Sequence, residues 1–115
     1  DLLLEIDGSG DGFFPGIDTD SLEIEIDGSG SIEASGRAGV QIVDIAGSGD
    51  FVAPELTGRT VQIRVAGSGD ARVGEADSLR VRISGSGDIR YRGSPVIDQQ
   101  ISGSGSIRPL GSNND

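Results

Sequence analysis

The tripeptide Gly-Ser-Gly occurs six times in this chain, at residues 8–10, 28–30, 47–49, 67–69, 85–87 and 103–105, with successive copies 20, 19, 20, 18 and 18 residues apart. A turn that recurs at nearly constant pitch constrains the fold more than any other feature here, because it asks for stacked copies of one structural unit. Each copy follows a β-branched residue placed two positions earlier: Ile6, Ile26, Ile45, Val65, Ile83 and Ile101. Four copies lead into Asp (Asp11, Asp50, Asp70, Asp88) and two into Ser (Ser31, Ser106). Two short strands meeting at a glycine corner make one coil of a solenoid. Glycine suits that corner because it reaches positive φ without steric cost and lets neighbouring coils approach closely. The corner residues are Gly8, Gly10, Gly28, Gly30, Gly47, Gly49, Gly67, Gly69, Gly85, Gly87, Gly103 and Gly105.

Around the corners the apolar residues alternate. Leu4, Ile24, Val43, Ile63 and Val81 stand four positions before the motif, and Leu2, Leu22, Val61, Leu79 and Ile97 six before it. After the motif, Ile32, Phe51, Ala71, Ile89 and Ile107 hold the second position and Phe14, Ala34, Ala53, Val73 and Tyr91 the fourth. Period-2 alternation is the pattern of a strand with one buried face. Gln41 and Gln99 fall on inward positions, with Val40 and Val96 one residue out of register, so bulges are expected near both glutamines. Turns of variable length join one coil to the next, and the longest, residues 12–21, is expected to be an exposed loop.

These patterns predict an all-β fold: a right-handed parallel β-helix of five to six coils of 18–20 residues. One domain spans 1–110, and 111–115 form a polar C-terminal tail. An antiparallel sandwich is the competing architecture, but it has no reason to repeat one corner six times. A solenoid also explains how 115 residues manage with one Tyr and three Phe, since each coil buries only a narrow apolar ladder against its neighbours.

Composition excludes several chemistries. The chain has no Cys, Met, Trp, His or Lys, which removes disulfides, thiolate metal sites and a Ser-His-Asp triad. No apolar run has the length of a membrane-spanning helix, so membrane insertion is not expected. The net charge of -10 argues against nucleic acid as a partner. Residues 1–33 hold ten acids and no base, whereas Arg59 to Arg108 contains eight arginines against five acids.

The phrases ISGSGDIRYRGSPVIDQQISGSGSIRPL (83–110) and LEIEIDGSGSIEASG (22–36) resemble the head GIN domain of autotransporter adhesins, a family rich in ISGSGD repeats. The likeness extends over essentially the whole chain. It implies a right-handed parallel β-helix on the outside of bacterial cells, and hence an extracellular or cell-surface location after removal of a signal peptide.

Three constellations stand out. The Asp ladder Asp11, Asp50, Asp70 and Asp88 could bind a hard cation if the coils stack in register, and Asp18 and Asp20 add carboxylates in the long turn, making Asp11, Asp18 and Asp20 the candidate Ca²⁺ ligands. Capping of backbone N–H groups is the simpler role, and no cofactor is expected. The Ser ladder of the corners, Ser9, Ser29, Ser48, Ser68, Ser86 and Ser104, lacks any base to activate it. Arg80, Arg82, Arg90 and Arg92 with Asp88 look like a cluster for acidic polysaccharide, yet no tuned acid pair or activated nucleophile accompanies them, so an enzyme is not expected.

The charge gradient points instead to self-association. Glu5, Glu23 and Glu25 are expected to complement Arg80, Arg82, Arg90 and Arg92 of the next subunit or of a lateral neighbour, with Leu2, Leu4 and Ile107 on the stacking ends. The functional expectation is therefore a non-enzymatic structural subunit that stacks head to tail with copies of itself into a cell-surface or matrix filament. The alternative is a monomeric adhesin or carbohydrate-binding head that uses the Tyr91 region, or Phe13 and Phe14, as a platform for glycans.

Overall fold

A computed structural model describes residues 2–93 and 95–109. It contains ten strands: β1 (Leu2–Gly8), β2 (Asp11–Gly28), β3 (Ser31–Gly47), β4 (Asp50–Thr57), β5 (Thr60–Gly67), β6 (Asp70–Glu75), β7 (Ser78–Gly85), β8 (Asp88–Arg92), β9 (Val96–Gly103) and β10 (Ser106–Pro109). Every pairing among them is parallel, and partners lie one repeat apart in sequence: Ile6 pairs with Ile26, Ile26 with Ile45, Ile45 with Val65. The result is a parallel β-solenoid of about six coils, with no helix among the described residues. Its first side is built from β1, the C-terminal halves of β2 and β3, and β5, β7 and β9. Its second side is built from the N-terminal halves of β2 and β3, and β4, β6, β8 and β10.

The corners assign different jobs to their two glycines. The first glycine of each motif has positive φ, from +92° at Gly8 to +131° at Gly85, a region that side-chain-bearing residues rarely enter. The second glycine has no such φ, but from the second coil onward a methyl group there would strike the carbonyl oxygen of the equivalent glycine one coil earlier. It would also meet the β-branched side chain beneath it: Ile45 Cγ2 lies 2.7 Å from the place a Gly69 methyl would occupy, and Val65 Cγ1 2.8 Å from that of Gly87. The repeated Ile or Val two residues before each motif therefore fills the space under the next coil's corner. Corner carbonyls accept amides from the following coil, as in Ser29 N–H to Gly8 O and Ser68 N–H to Gly47 O, both at 3.0 Å, so the hydrogen-bond ladder continues through the bend.

Between the two sides lies one core. Leu22, Ile24, Ile26, Ile45, Ile63, Leu79 and Ile83 from the first side meet Ile32, Phe51, Leu56 and Ile89 from the second, all fully buried. Bulky Phe51 stacks between Ile32 and the small Ala71 of the neighbouring coils in the same column. In the first coil the Phe14 ring folds over Gly12, filling the space a side chain would have taken.

Two local expectations fail. No bulge occurs at Gln41 or Gln99: the register runs unbroken from Val40–Thr60 to Gly47–Gly67 and from Ser78–Val96 to Gly85–Gly103. Gln41 stays in the core, where its side-chain amide donates to Ala38 O (3.2 Å) and Thr57 O (3.3 Å). Two accepted donations make burial of the amide tolerable, although Oε1 finds no protein partner among the described residues. Gln99 is exposed on β9, and Val96 beside it is 75% exposed. The register shifts fall on the second side, between Phe14 and Ile17, Glu33 and Ser35, and Arg72 and Glu75, where the chain bends toward the next coil.

The long first turn is also not a loop. It continues as strand through β2, buries Ile17 and pairs Ile17 with Gly36 and Gly36 with Leu56. Large and absent side chains alternate down this column, since a methyl on Gly36 would collide with the Ile17 backbone. Residues 111–115, expected as a tail, lie outside the described residues.

Candidate functional site

Strand pleating sends every second side chain outward, so each side of the solenoid displays columns of residues one strand spacing apart. On the first side the central column is Glu5, Glu25, Asp44, Arg64, Arg82, Gln100. Beside it run Leu3, Glu23, Ile42, Gln62, Arg80, Asp98 and, on the other flank, Asp7, Asp27, Ala46, Ala66, Ser84, Ser102. Three consecutive coils are thus acidic and the next two basic along the central column of a single face. Like charges directly opposite one another repel. Partial desolvation on the sheet, with repulsion from Glu5, Glu23 and Asp44, raises the Glu25 carboxyl above its usual value of 4.5, although its side chain is exposed. Arg80 pairs with Asp98 at 3.6 Å. No ion pair of Arg64 or Arg82 occurs among the described residues. A shallow depression of about 270 Å³ lies between Arg64, Arg82, Ser84 and Gln100.

The second side carries an Asp column and an Arg column. Asp50, Asp70 and Asp88 stack in register between Ser31 and Ser106. Their carboxylates have structural partners in the following coil: Asp70 N–H donates to Asp50 Oδ1 (3.4 Å), Asp88 N–H to Asp70 Oδ1 (3.2 Å), and Ser106 Oγ to Asp88 Oδ1 (2.8 Å). Ser31 Oγ gives Asp11 Oδ1 the same contact at 3.0 Å. Two residues along each strand stand Phe13, Glu33, Val52, Arg72, Arg90 and Arg108 in one column. Sequence analysis singled out Arg90 but grouped it with Arg80, Arg82 and Arg92 and passed over Arg72 and Arg108, the column partners whose signal was a common offset from the corner.

The proposed Ca²⁺ ligands are not brought together. Asp11 sits at the corner on Ser31, whereas Asp18 lies seven residues along the same strand on Arg37, at 3.2 Å. No group of three or more metal-ligating residues occurs among the described residues. In-register stacking separates these carboxylates, because it brings together residues one repeat apart, not residues within one strand.

The self-association residues divide among three places. Glu5, Glu23, Glu25, Arg80 and Arg82 share the outward face of the first side. Arg90 and Arg92 belong to β8 on the second side, where the Arg92 guanidinium donates to Pro54 O at 3.1 Å, so they cannot join the other two arginines in one patch. Leu2 is partly exposed in β1, Leu4 is buried, and Ile107 of β10 is partly buried against the core. Of the aromatic platform, only Phe13 faces outward, at 69% exposure, while Phe14 and Tyr91 pack on the core.

Comparison with known proteins agrees with this architecture. A putative adhesin from Parabacteroides distasonis, solved by crystallography, superposes with a TM-score of 0.90 at 34% sequence identity over 93% of this chain. The chain spans 45% of that protein's length. No curated protein matches. The model of the family described as "Putative auto-transporter adhesin, head GIN domain" matches residues 1–95, and the chain, with its corner glycines and parallel coils, belongs to that family.

Proposed function

We propose that this chain is a non-enzymatic β-solenoid module on the outer surface of a bacterial cell, acting as an adhesin through its lateral faces. Membership in an adhesin family is the observation that carries this reading. The surface agrees with it. Functional groups stand on flat outward columns, and the depressions between them are open and shallow, a form suited to extended macromolecular contact. The carboxylates of Asp11, Asp50, Asp70 and Asp88 on the second side are occupied by backbone and serine donors, which favours a structural role for them over acid-base chemistry.

A head-to-tail filament receives less support. Its charge argument required acids on one end of the column and arginines on the other. The first side does carry its acids in the early coils and its arginines in the later ones, but these side chains point outward from a lateral face, and the last coil, with Asp98 and Gln100, stands between Arg80 and Arg82 and any copy stacked on that end.

Beads coated with the purified chain test the proposal directly. Attachment to immobilised glycans or host glycoproteins, above that of beads carrying a different β-solenoid, is the expected result, with no turnover of the same polysaccharides. Attachment no better than the control, or release of sugar products, would overturn it.

A further inference from the structure

The three outward columns of the first side have a property that none of them needs for folding. Read from the first coil to the last, the central column is Glu5, Glu25, Asp44, Arg64, Arg82, Gln100, and read backwards it is its own electrostatic complement. The same reversal sets Glu23 against Arg80 and Ile42 against Gln62 in one flanking column, and Asp27 against Ser84 and Ala46 against Ala66 in the other. No like charges meet in any of the three. Within one molecule the acids crowd each other, and Arg64 and Arg82 also stand as neighbours.

We infer that this face pairs with the same face of a second copy, the two coil axes antiparallel, about a twofold axis parallel to the strands. Such an axis reverses coil order and leaves position along the strand unchanged, so each column meets its own reverse. Glu25 then faces Arg82 of the second copy and Asp44 faces Arg64, each pair occurring twice by symmetry. Ile42, Ala46 and Ala66 lie at the centre, where the exposed isoleucine and two small side chains permit close approach of the sheets. The alternatives are electrostatically worse. Parallel axes put Glu25 on Glu25 and Arg82 on Arg82, and a slip of one coil puts Asp44 on Asp44.

The size of the face sets the strength. Between the centres of its outermost residues and strands the face spans six residue intervals by five strand intervals, roughly 500 Å² per copy at about 3.3 Å per residue and about 4.8 Å per strand. The total of roughly 1,000 Å² is at the lower limit for a specific interface, so the pair is weak and its charge pattern supplies specificity more than affinity. Antiparallel axes also point the two C-terminal ends in opposite directions, an arrangement open to copies on facing surfaces. The inference concerns self-association and stands apart from the adhesin reading.

Sedimentation equilibrium of the chain from about 10 μM to 1 mM at about 0.15 M salt is the test. A monomer–dimer equilibrium is expected, weakening as salt rises. E25R and R82E should each reduce association at least tenfold, because symmetry counts each new like-charge contact twice. The double variant E25R/R82E should regain it. An equimolar mixture of the two single variants should regain it as well: the arginine introduced at position 25 of one chain meets the glutamate introduced at position 82 of the other, and the retained Arg82 of the first meets the retained Glu25 of the second. Both positions are exposed, and the double variant also shows that the substitutions are compatible with folding. A wild-type chain monomeric throughout this range would overturn the inference. So would single variants that associate like wild type, a mixture that stays monomeric, or growth beyond the dimer.

Discussion

The six corners contain a natural factorial experiment on what glycine contributes. Gly10 has neither positive φ nor any atom near the position of an added methyl; Gly8 has φ of +92° and open space. Gly69 has ordinary φ but a methyl there would strike the Gly49 carbonyl and lie 2.7 Å from Ile45 Cγ2, and Gly67 combines φ of +123° with collision against Gly47. Substitution by alanine at each position separates the two demands. At Gly10 the change should be neutral or stabilise by about 0.4–1 kcal/mol through the unfolded chain. At Gly8 the left-handed backbone should cost about 1–2 kcal/mol. At Gly69 overpacking against a fixed carbonyl should cost about 1–3 kcal/mol. Gly67→Ala should cost about the sum, roughly 2–5 kcal/mol. Urea unfolding monitored by circular dichroism measures all four, and with a slope of about 2 kcal/mol per molar a 2 kcal/mol loss moves the midpoint by about 1 M. A Gly69→Ala variant as stable as Gly10→Ala would refute the claim that coil-to-coil contact, rather than backbone angle, fixes the second glycine.

Further outcomes follow from single observations. Phe51 is fully buried, so Phe51→Ala should lose about 3–5 kcal/mol, whereas exposed Phe13→Ser should stay within about 0.5 kcal/mol of wild type in the same urea assay. Because the folded chain raises the Glu25 carboxyl, it holds that proton more tightly than the unfolded chain does. Stability from this group therefore grows as pH falls from the raised value to the usual 4.5 and is lost as pH climbs back. Glu25→Gln should accordingly be more stable than wild type at neutral pH, with the difference closing in acid; a difference that widens in acid would contradict the crowding of these acids. The Asp50, Asp70 and Asp88 carboxylates are assigned to amide and serine donors, so millimolar Ca²⁺ should leave the thermal midpoint unchanged, and a clear rise would reassign them.

Much of the fold was legible in one dimension because each coil repeats the same two physical demands. The spacing of Gly-Ser-Gly and the period-2 alternation ending in Ile or Val identify strands, corner and inward face together. The exceptions have local causes. Gln41 broke the alternation, yet its amide could be satisfied by Ala38 and Thr57 inside the core, which costs less than disrupting a ladder shared with two neighbouring coils. Residues 12–21 carried loop chemistry in Pro15 and Gly16, but neighbouring β3 supplied strand partners for Ile17, Asp18 and Thr19. Site residues were harder to place. Arg82 and Arg90 are eight positions apart and both point outward, but a corner lies between them, so sequence proximity concealed that they occupy different faces. The charge order of the first side was legible too, since Glu5, Glu25, Asp44, Arg64, Arg82 and Gln100 stand at one offset from the corner, and the register adds that they form a single column.

Everything from the core columns to the lateral charge pattern depends on each corner resting on the one before it. Scalar couplings across hydrogen bonds, measured by NMR on the isotope-labelled chain, detect this directly. Couplings are expected from the amides of Ser29, Ser48, Ser68, Ser86 and Ser104 to the carbonyls of Gly8, Gly28, Gly47, Gly67 and Gly85, whose N···O separations are 3.0–3.1 Å. Couplings that instead join the two strands flanking a single corner, as in an antiparallel hairpin, would contradict the solenoid.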